Sequence, residues 1–123
     1  MTHNIPLMRM IHRQITTDLA NHDQGDYRRC VAGWAIKLDG DWGFLRPDAD
    51  IAAGIQVLDF GTGEIGYTDV VAARLLGLVP DEARYLFHDA DNRAAVAWLE
   101  DALAAYNGRI LDALDWPIGE VTA

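Results

Sequence analysis

The sequence predicts a mainly α-helical fold, a single small domain of about five helices with a short β-hairpin between the second and third helices. The chain has 123 residues, of which 50% are hydrophobic, enough for one modest core. Apolar residues recur at helical spacing in the first and last thirds, whereas this periodicity is lost between residues 42 and 67. We therefore assign residues 1–123 to a single helical domain.

The first two helices are predicted from apolar stripes that lie on either side of a polar loop, Asn21 to Tyr27. Pro6 suits the first turn of helix one, and Asp39-Gly-Asp41 is expected to end helix two. Gly33 inside the second helix costs roughly 1 kcal/mol against alanine, which indicates a close helix contact beside Trp34. The two stripes are Met8, Ile11, Ile15 and Leu19, then Cys30, Val31, Trp34, Ala35 and Leu38.

The hairpin is predicted from the β-like run Ile55 to Phe60, the turn Gly61-Thr-Gly63 and the return Glu64 to Tyr67. The stretch before it, from Trp42, is interpreted as a loop because it has no clear period and contains glycine and proline. A small two-stranded unit is therefore expected between the helices.

Three further helices are predicted after the hairpin. Thr68 is the expected cap of the third helix, which runs through Val71, Leu75 and Leu76 and ends at Gly77. Pro80 opens the fourth, with acids in its first turn where the helix dipole favours them. The buried face of the fourth helix is Ala83, Leu86 and Phe87. The fifth helix is expected to be capped by Asp91 or Asn92 and to bend at Gly108. Its apolar stripe is Val96, Leu99, Leu103, Tyr106, Ile110 and Leu114.

The net charge is −9, and it is unevenly distributed along the chain. Residues 1–37 hold five Arg or Lys against three Asp, a net charge of +2, whereas residues 38–123 hold five Arg against sixteen acids, a net charge of −11. Such a field repels phosphate backbones and favours either solubility alone or a basic partner, so nucleic acid is not expected. Cys30 is the only cysteine, and the N-terminal residues mix charged with apolar side chains, which predicts a cytoplasmic chain without membrane association.

The segment Gly61-Thr-Gly63-Glu-Ile-Gly66 matches the glycine pattern of nucleotide-binding loops. That site needs a parallel sheet, but the residues after Gly66 are nearly all helical. We therefore interpret the segment as a hairpin turn and assign no cofactor.

A helix-turn-helix is suggested by the spacing of Ala73, Gly77, Leu78, Ala83 and Leu86. A recognition helix must offer positive charge to DNA, but residues 80–91 offer Arg84 against four acids. A structural corner is the favoured interpretation, and a DNA-binding regulator is kept as the alternative function.

No catalytic or metal-binding residue is assigned. Cys30 has Arg28 and Arg29 beside it, which could lower a thiol pKa, but it shares a face with Trp34 and is expected to be packed. The polar cluster at residues 88–92 lacks the spacing of a calcium loop. A small enzyme using Cys30 or the Gly61–Gly66 loop is therefore only the third hypothesis.

Four tryptophans in so short a chain suggest interface anchors. Trp34 and Trp98 lie near helix stripes and are predicted to belong to the core. The candidate partner-binding residues are Trp42, Phe44, Arg46 and Trp116, for which covering the core is the competing interpretation.

The order Cys30-Val-Ala-Gly-Trp-Ala35, then Leu75-Leu-Gly-Leu78, then Glu82-Ala-Arg-Tyr-Leu-Phe87 resembles a family of small uncharacterised proteins from actinobacteria and their phages. The resemblance spans roughly residues 27–103 and rests on core, corner and cap positions, so it implies a shared helical fold without an activity. Val79 departs from the pattern, in which Ser or Thr precedes the proline. The phage association implies a small protein that modulates a host component.

The leading hypothesis is therefore a small acidic cytoplasmic protein-binding module, a phage-derived modulator of a host protein. Convergence of Trp42, Phe44 and Trp116 on one exposed apolar patch would favour a partner surface or a homodimer.

Overall fold

The computed structural model describes residues 2–45 and 56–113. Within them it confirms the predicted class, a mainly α-helical domain with a small antiparallel sheet between the second and third helices. A 3-10 turn follows α1 at Leu19–Asn21, and a π-helical turn continues α4 at Tyr85–Asp89. The elements are α1 (Ile5–Thr17), α2 (Val31–Asp39), β1 (Trp42–Phe44), β2 (Gln56–Asp59), β3 (Ile65–Tyr67), α3 (Thr68–Leu76), α4 (Pro80–Arg84) and α5 (Asn92–Ala113).

Helix α1 begins at a side-chain cap and buries one face. The backbone N–H of Leu7 donates to Asn4 Oδ1 at 3.3 Å. The buried side chains of this helix are Ile5, Leu7, Met8, Ile11 and Ile15. The prediction that Leu19 belongs to this buried stripe is wrong, because its side chain is 70% exposed. Asp18 leaves helical geometry at φ −136° and ψ 70°, so the chain turns away before Leu19 can reach the core-facing side.

Helix α2 ends at Gly40, whose φ of +87° suits glycine, which confirms the predicted end of this helix. A close contact at Gly33 is also confirmed, but its partner is the loop before the helix, not another helix. A Cβ on Gly33 would lie 2.5 Å from the carbonyl carbon of Arg28. The loop is held there because the N–H of Cys30 donates to the carbonyl of Asp26 at 2.8 Å.

The sheet has three antiparallel strands in the order β1-β2-β3. The predicted hairpin is confirmed, with Leu58 opposite Ile65 and Gly63 in the turn at φ +78°. The interpretation of the segment from Trp42 as a loop is wrong, because residues 42–44 form strand β1, which pairs with β2 so that Phe44 lies opposite Val57. Residue 55, the predicted start of the hairpin, lies outside the described residues.

The N-terminal segment closes the C-terminal end of α3. The N–H of Asn4 donates to the carbonyl of Leu76 at 2.8 Å, and its side-chain amide donates to the carbonyl of Leu75 at 3.0 Å. Gly77 ends α3 as predicted, at φ +72°. Thr68, the predicted cap, is instead the first helical residue and is fully buried, with Tyr67 in the cap position.

Helices α4 and α5 are linked by the π-helical turn, in which the N–H of Ala90 donates to the carbonyl of Tyr85 at 2.8 Å. Asp91 caps α5 by accepting from the N–H of Ala94 at 2.8 Å, as predicted. Leu99 is fully buried, whereas Ile110, predicted on the same stripe, is 44% exposed. Leu114 lies outside the described residues. Among the helices that the structure describes, none is long and apolar enough to cross a membrane.

Candidate functional site

An open groove of about 320 Å³ lies between α3 and the unit formed by α4 and the π-helical turn. One wall comes from Val70 and Ala73, which lie one helical turn apart on α3. The other wall comes from residues spaced three or four apart, Pro80, Ala83 and Phe87. Two helix faces therefore meet in this groove, and most of its lining is apolar; the apolar residues are Val70, Ala73, Leu78, Pro80, Ala83 and Phe87.

The groove forms because each helix buries its core residues on one face and leaves a different face toward the groove. On α3, Val71 and Leu76 are fully buried, which turns the neighbouring Val70 outward, where it is 61% exposed. On the opposite wall Leu86 is fully buried, and Phe87, 6% exposed, supplies the base of the groove. Apolar surface at Val70 is thus left uncovered by the described part of the chain.

Charged side chains border the groove. His88 Nε2 lies 3.1 Å from Asp69 Oδ2, a contact that ties the π-helical turn to the first turn of α3. Arg84 lies 3.6 Å from Asp81, whose side chain is 92% exposed. The site therefore combines an apolar base with a polar, solvated edge, an arrangement typical of surfaces that bind other proteins.

A second cavity of about 190 Å³ adjoins the groove and shares Asp69, Phe87 and His88 with it. Cys30 also lines this cavity, but its side chain is only 3% exposed. Burial raises the pKa of the thiol, against the lowering effect of backbone N–H groups at the start of α2 such as that of Gly33. A protonated, covered thiol is a poor nucleophile, so the geometry favours the packed interpretation of Cys30.

The structure describes two of the four predicted partner-binding residues, Trp42 and Phe44, and both lie in β1. Trp42 is 8% exposed. The guanidinium of Arg74 lies 5.6 Å from the centre of its ring. Trp42 covers the core and does not contribute an exposed anchor. Phe44 is half-buried at the end of β1. Arg46 and Trp116 lie outside the described residues, so their part in a partner surface stays a prediction.

The other two tryptophans, predicted to belong to the core, are half-buried at its edge. The indole N–H of Trp34 donates to the carbonyl of Asn21 at 3.0 Å, which fixes the ring against the loop before α2. The ring of Trp98 lies 5.7 Å from that of His3. Both rings pack against buried residues while keeping a polar edge near solvent.

The corner at Gly77 has the predicted order of helix, glycine turn and helix, but its second helix is short. Helix α4 spans Pro80–Arg84 and passes directly into the π-helical turn. The basic side chain of this helix, Arg84, is paired with Asp81. A DNA-reading helix needs free positive charge, so the electrostatic objection to a DNA-binding regulator also applies to the folded chain.

The Gly61–Gly66 segment forms the exposed turn and return strand of an antiparallel hairpin. The nucleotide-binding pattern requires a strand of a parallel sheet, and the sheet of the described residues is antiparallel. No group of three or more His, Cys, Asp or Glu within residues 2–45 and 56–113 could hold a metal ion.

Comparison of the chain with protein-family models, with curated proteins and with solved structures finds no match. The groove therefore has to be interpreted from its own geometry. Sequence reasoning missed Val70, because the buried stripe of α3 accounted for this helix on its own, and it identified Ala73 only as part of the helix-turn-helix spacing. The available signal was a second apolar pair, three residues apart, on a helix whose core face was already assigned.

Proposed function

We propose that this chain is a protein-binding module whose groove between α3 and α4 receives the apolar face of a helical segment of a partner protein. The observation that carries the proposal is the pair of helix faces that leave Val70 61% exposed above the nearly buried ring of Phe87. A helix laid into a groove of this kind contributes side chains at i, i+3 and i+4. Burying them offsets the cost of association.

The partner segment is expected to carry basic residues beside its apolar face. Residues 38–123, which include both walls of the groove, have a net charge of −11. At the groove itself the charged side chains are paired, Asp69 with His88 and Arg84 with Asp81, so the preference for a basic partner rests on the charge of this larger region. Positive charge on the partner therefore raises the association rate and selects the partner over acidic competitors.

Site-specific crosslinking tests the proposal directly. A photoreactive phenylalanine analogue replaces Val70 in one variant and Leu19 in a control variant, because Leu19 is an equally accessible apolar residue, 70% exposed, that does not line the groove. Each variant is irradiated in a lysate of the source cells or of a host, and the crosslinked peptides are sequenced. We expect crosslinks at residue 70, and not at residue 19, to converge on one apolar and basic helical segment.

A synthetic peptide of that segment then gives the affinity. Val70→Lys should weaken binding at least about tenfold, equivalent to about 1.4 kcal/mol, because it places a charge on the apolar wall. Leu19→Lys should change it less than about twofold, since this side chain lies outside the groove. Equal losses in both variants, or crosslinks that do not depend on the position of the probe, would contradict the proposal.

The resemblance to proteins of actinobacteria and their phages suggests the biological setting, in which the partner is a host protein. A second copy of this chain is an outcome of the same experiment, recognised because the crosslinked peptide would then come from this sequence. The alternative DNA-binding function predicts binding to duplex DNA that weakens as the salt concentration rises. A DNA-binding titration at several salt concentrations tests it independently of the crosslinking experiment.

A further inference from the structure

Two basic side chains lie close to aromatic rings where α2 is followed by β1. Lys37, the single lysine of the chain, places its ammonium 4.3 Å from the ring centre of Trp34 and 6.0 Å from that of Phe44. The guanidinium of Arg28 lies 5.8 Å from the same Phe44 ring. We call Arg28, Lys37, Trp34 and Phe44 the cationic shelf; none of its residues lines the groove.

The cations of the shelf form no ion pair with a carboxylate in the described part of the chain, although other arginines do. The neighbouring carboxylate of Asp26 already accepts hydrogen bonds from other groups. Its Oδ1 accepts from the backbone N–H of Arg28 at 2.8 Å, and its Oδ2 accepts from Nε of Arg29 at 2.9 Å. Asp26 therefore neutralises Arg29, and within residues 2–45 and 56–113 the two shelf cations have no direct counter-ion.

This lack of a counter-ion carries a free-energy cost. The Nε of Arg28 is buried with no hydrogen-bond partner in the described residues. Burial lowers the pKa of Lys37, the charges of Arg28 and Arg29 lower it further, and Asp26 acts in the opposite direction. Arg28 is partly buried whereas Lys37 is exposed, so the cost falls mainly on the buried Nε of Arg28, and a bound anion would offset it.

We propose that the cationic shelf binds a small oxyanion group of the phosphate class between the side chains of Arg28 and Lys37. Arginine offers a planar set of donors that matches phosphate oxygens, and lysine adds a compact charge. The contacts with Trp34 and Phe44 hold both cations in place, which reduces the entropy lost on binding. The net charge of −9 repels an extended polyanion, so the ligand is a single phosphate group and not a nucleic-acid backbone.

Titration with inorganic phosphate, followed by NMR of the ¹⁵N-labelled tryptophan indoles, tests the proposal. Sodium chloride keeps the ionic strength constant, and a Trp34→Phe variant assigns the Trp34 signal. We expect a saturable shift of the Trp34 indole while the Trp98 indole, which belongs to α5, serves as an internal control. Sulfate should compete with phosphate, whereas chloride at matched ionic strength should not produce the shift.

Substitutions locate the site. Arg28→Gln and Lys37→Gln should each weaken phosphate binding at least about tenfold, and Lys37→Arg should retain it because the charge is kept. Arg93→Gln, which removes an exposed arginine of α5, is the matched control and should leave binding unchanged. Val70→Lys should also leave it unchanged, so that failure here and failure of the groove proposal are distinguished. Thermal melting establishes that each variant is folded.

Two results would overturn the proposal. The first is a shift that grows linearly with phosphate, without saturation, or that persists in Lys37→Gln and Arg28→Gln. The second concerns Asp48 and Asp50, which belong to the undescribed segment 46–55. If phosphate binds only to the double variant Asp48→Asn with Asp50→Asn, the chain's own carboxylates neutralise the shelf and no external oxyanion is needed.

Discussion

At Gly33 the absence of a side chain lets the preceding loop lie directly against α2. A Cβ there would lie 2.5 Å from the carbonyl carbon and 2.7 Å from the carbonyl oxygen of Arg28, and backbone atoms cannot move aside as a flexible side chain can. Gly33→Ala should therefore lower the free energy of unfolding by about 1–3 kcal/mol, as overpacking does. Urea unfolding measures this change.

Gly108 provides the matched control for that prediction. It also lies in a helix, α5, but a Cβ there would meet no other atom within 4 Å. Gly108→Ala should raise the free energy of unfolding by about 0.5–1 kcal/mol because glycine loses more backbone entropy on folding. Equal effects of the two substitutions would show that helix propensity, and not the loop contact, governs Gly33.

Cys30 should react slowly with iodoacetamide in the folded protein. Its thiol is 3% exposed, and burial raises its pKa above the ordinary value of 9.0, so both access and thiolate fraction are reduced. If a local opening of about 3 kcal/mol is required, the reaction is slowed about a hundredfold relative to the protein in urea. Mass spectrometry at intervals follows the alkylation, and native reactivity equal to that in urea would reopen the enzyme hypothesis.

Glu82 joins the start of α4 to the N-terminal segment. Its Oε1 accepts from the N–H of Val79 at 3.0 Å, and its Oε2 lies 3.0 Å from Nε2 of His3. Burial raises the pKa of Glu82, but the hydrogen bonds with Val79 and His3 outweigh it, and the net shift is downward from 4.5. The carboxylate therefore stabilises the fold fully above pH 4.5, and this contribution is lost as the pH falls through the lowered pKa.

Glu82→Gln should accordingly destabilise the protein by about 1 kcal/mol at pH 7, the usual contribution of a helix cap. The difference from the unsubstituted protein should shrink below pH 4.5, because protonation removes the charged cap there. Urea unfolding at pH 7, 4.5 and 3 measures it. Asp101→Asn, an exposed acid on α5, is the control, and a difference that does not depend on pH in Glu82→Gln would contradict the role of its charge.

The elements that could be predicted from sequence are those whose signals are local. The stripe from Met8 to Ile15 and the glycines at 40, 63 and 77 act within a few residues, and the structure has them as predicted. Strand β1 could not be predicted because it has three residues with Gly43 at its centre and depends on pairing with β2. The ring of Phe60 occupies the space beside Gly43, which no local pattern indicates.

The groove was missed for a related reason. Val70 belongs to a helix whose core face was identified correctly, but its exposure beside Phe87 depends on where the corner at Gly77 directs α4. The start of α4 is held by contacts distant in sequence, such as the one between His3 and Glu82. A sequence pattern identifies what a helix buries, whereas a site between two helices needs their relative placement.

At the scale of the whole molecule, salt should affect folding and partner binding in opposite directions. The net charge of −9 destabilises the compact chain through self-repulsion, and the ion pairs of the described residues are largely exposed and weak. Raising sodium chloride from 10 to about 500 mM shortens the screening length severalfold, so the melting temperature should rise by a few degrees. Affinity for the proposed basic partner segment should fall over the same range.

A variant with fewer acids separates these two effects. Asp89→Asn with Asp101→Asn removes two exposed carboxylates that form no ion pair with a described residue. Its melting temperature should start higher at low salt and rise less steeply, because less repulsion remains to be screened. Differential scanning calorimetry measures the melting temperature, and fluorescence anisotropy measures the affinity for a labelled partner peptide. If salt instead lowered the melting temperature, favourable ion pairs would outweigh the repulsion between acids in the free energy of folding. The acidic residues would then contribute to stability, and their charge would not be evidence for a basic partner.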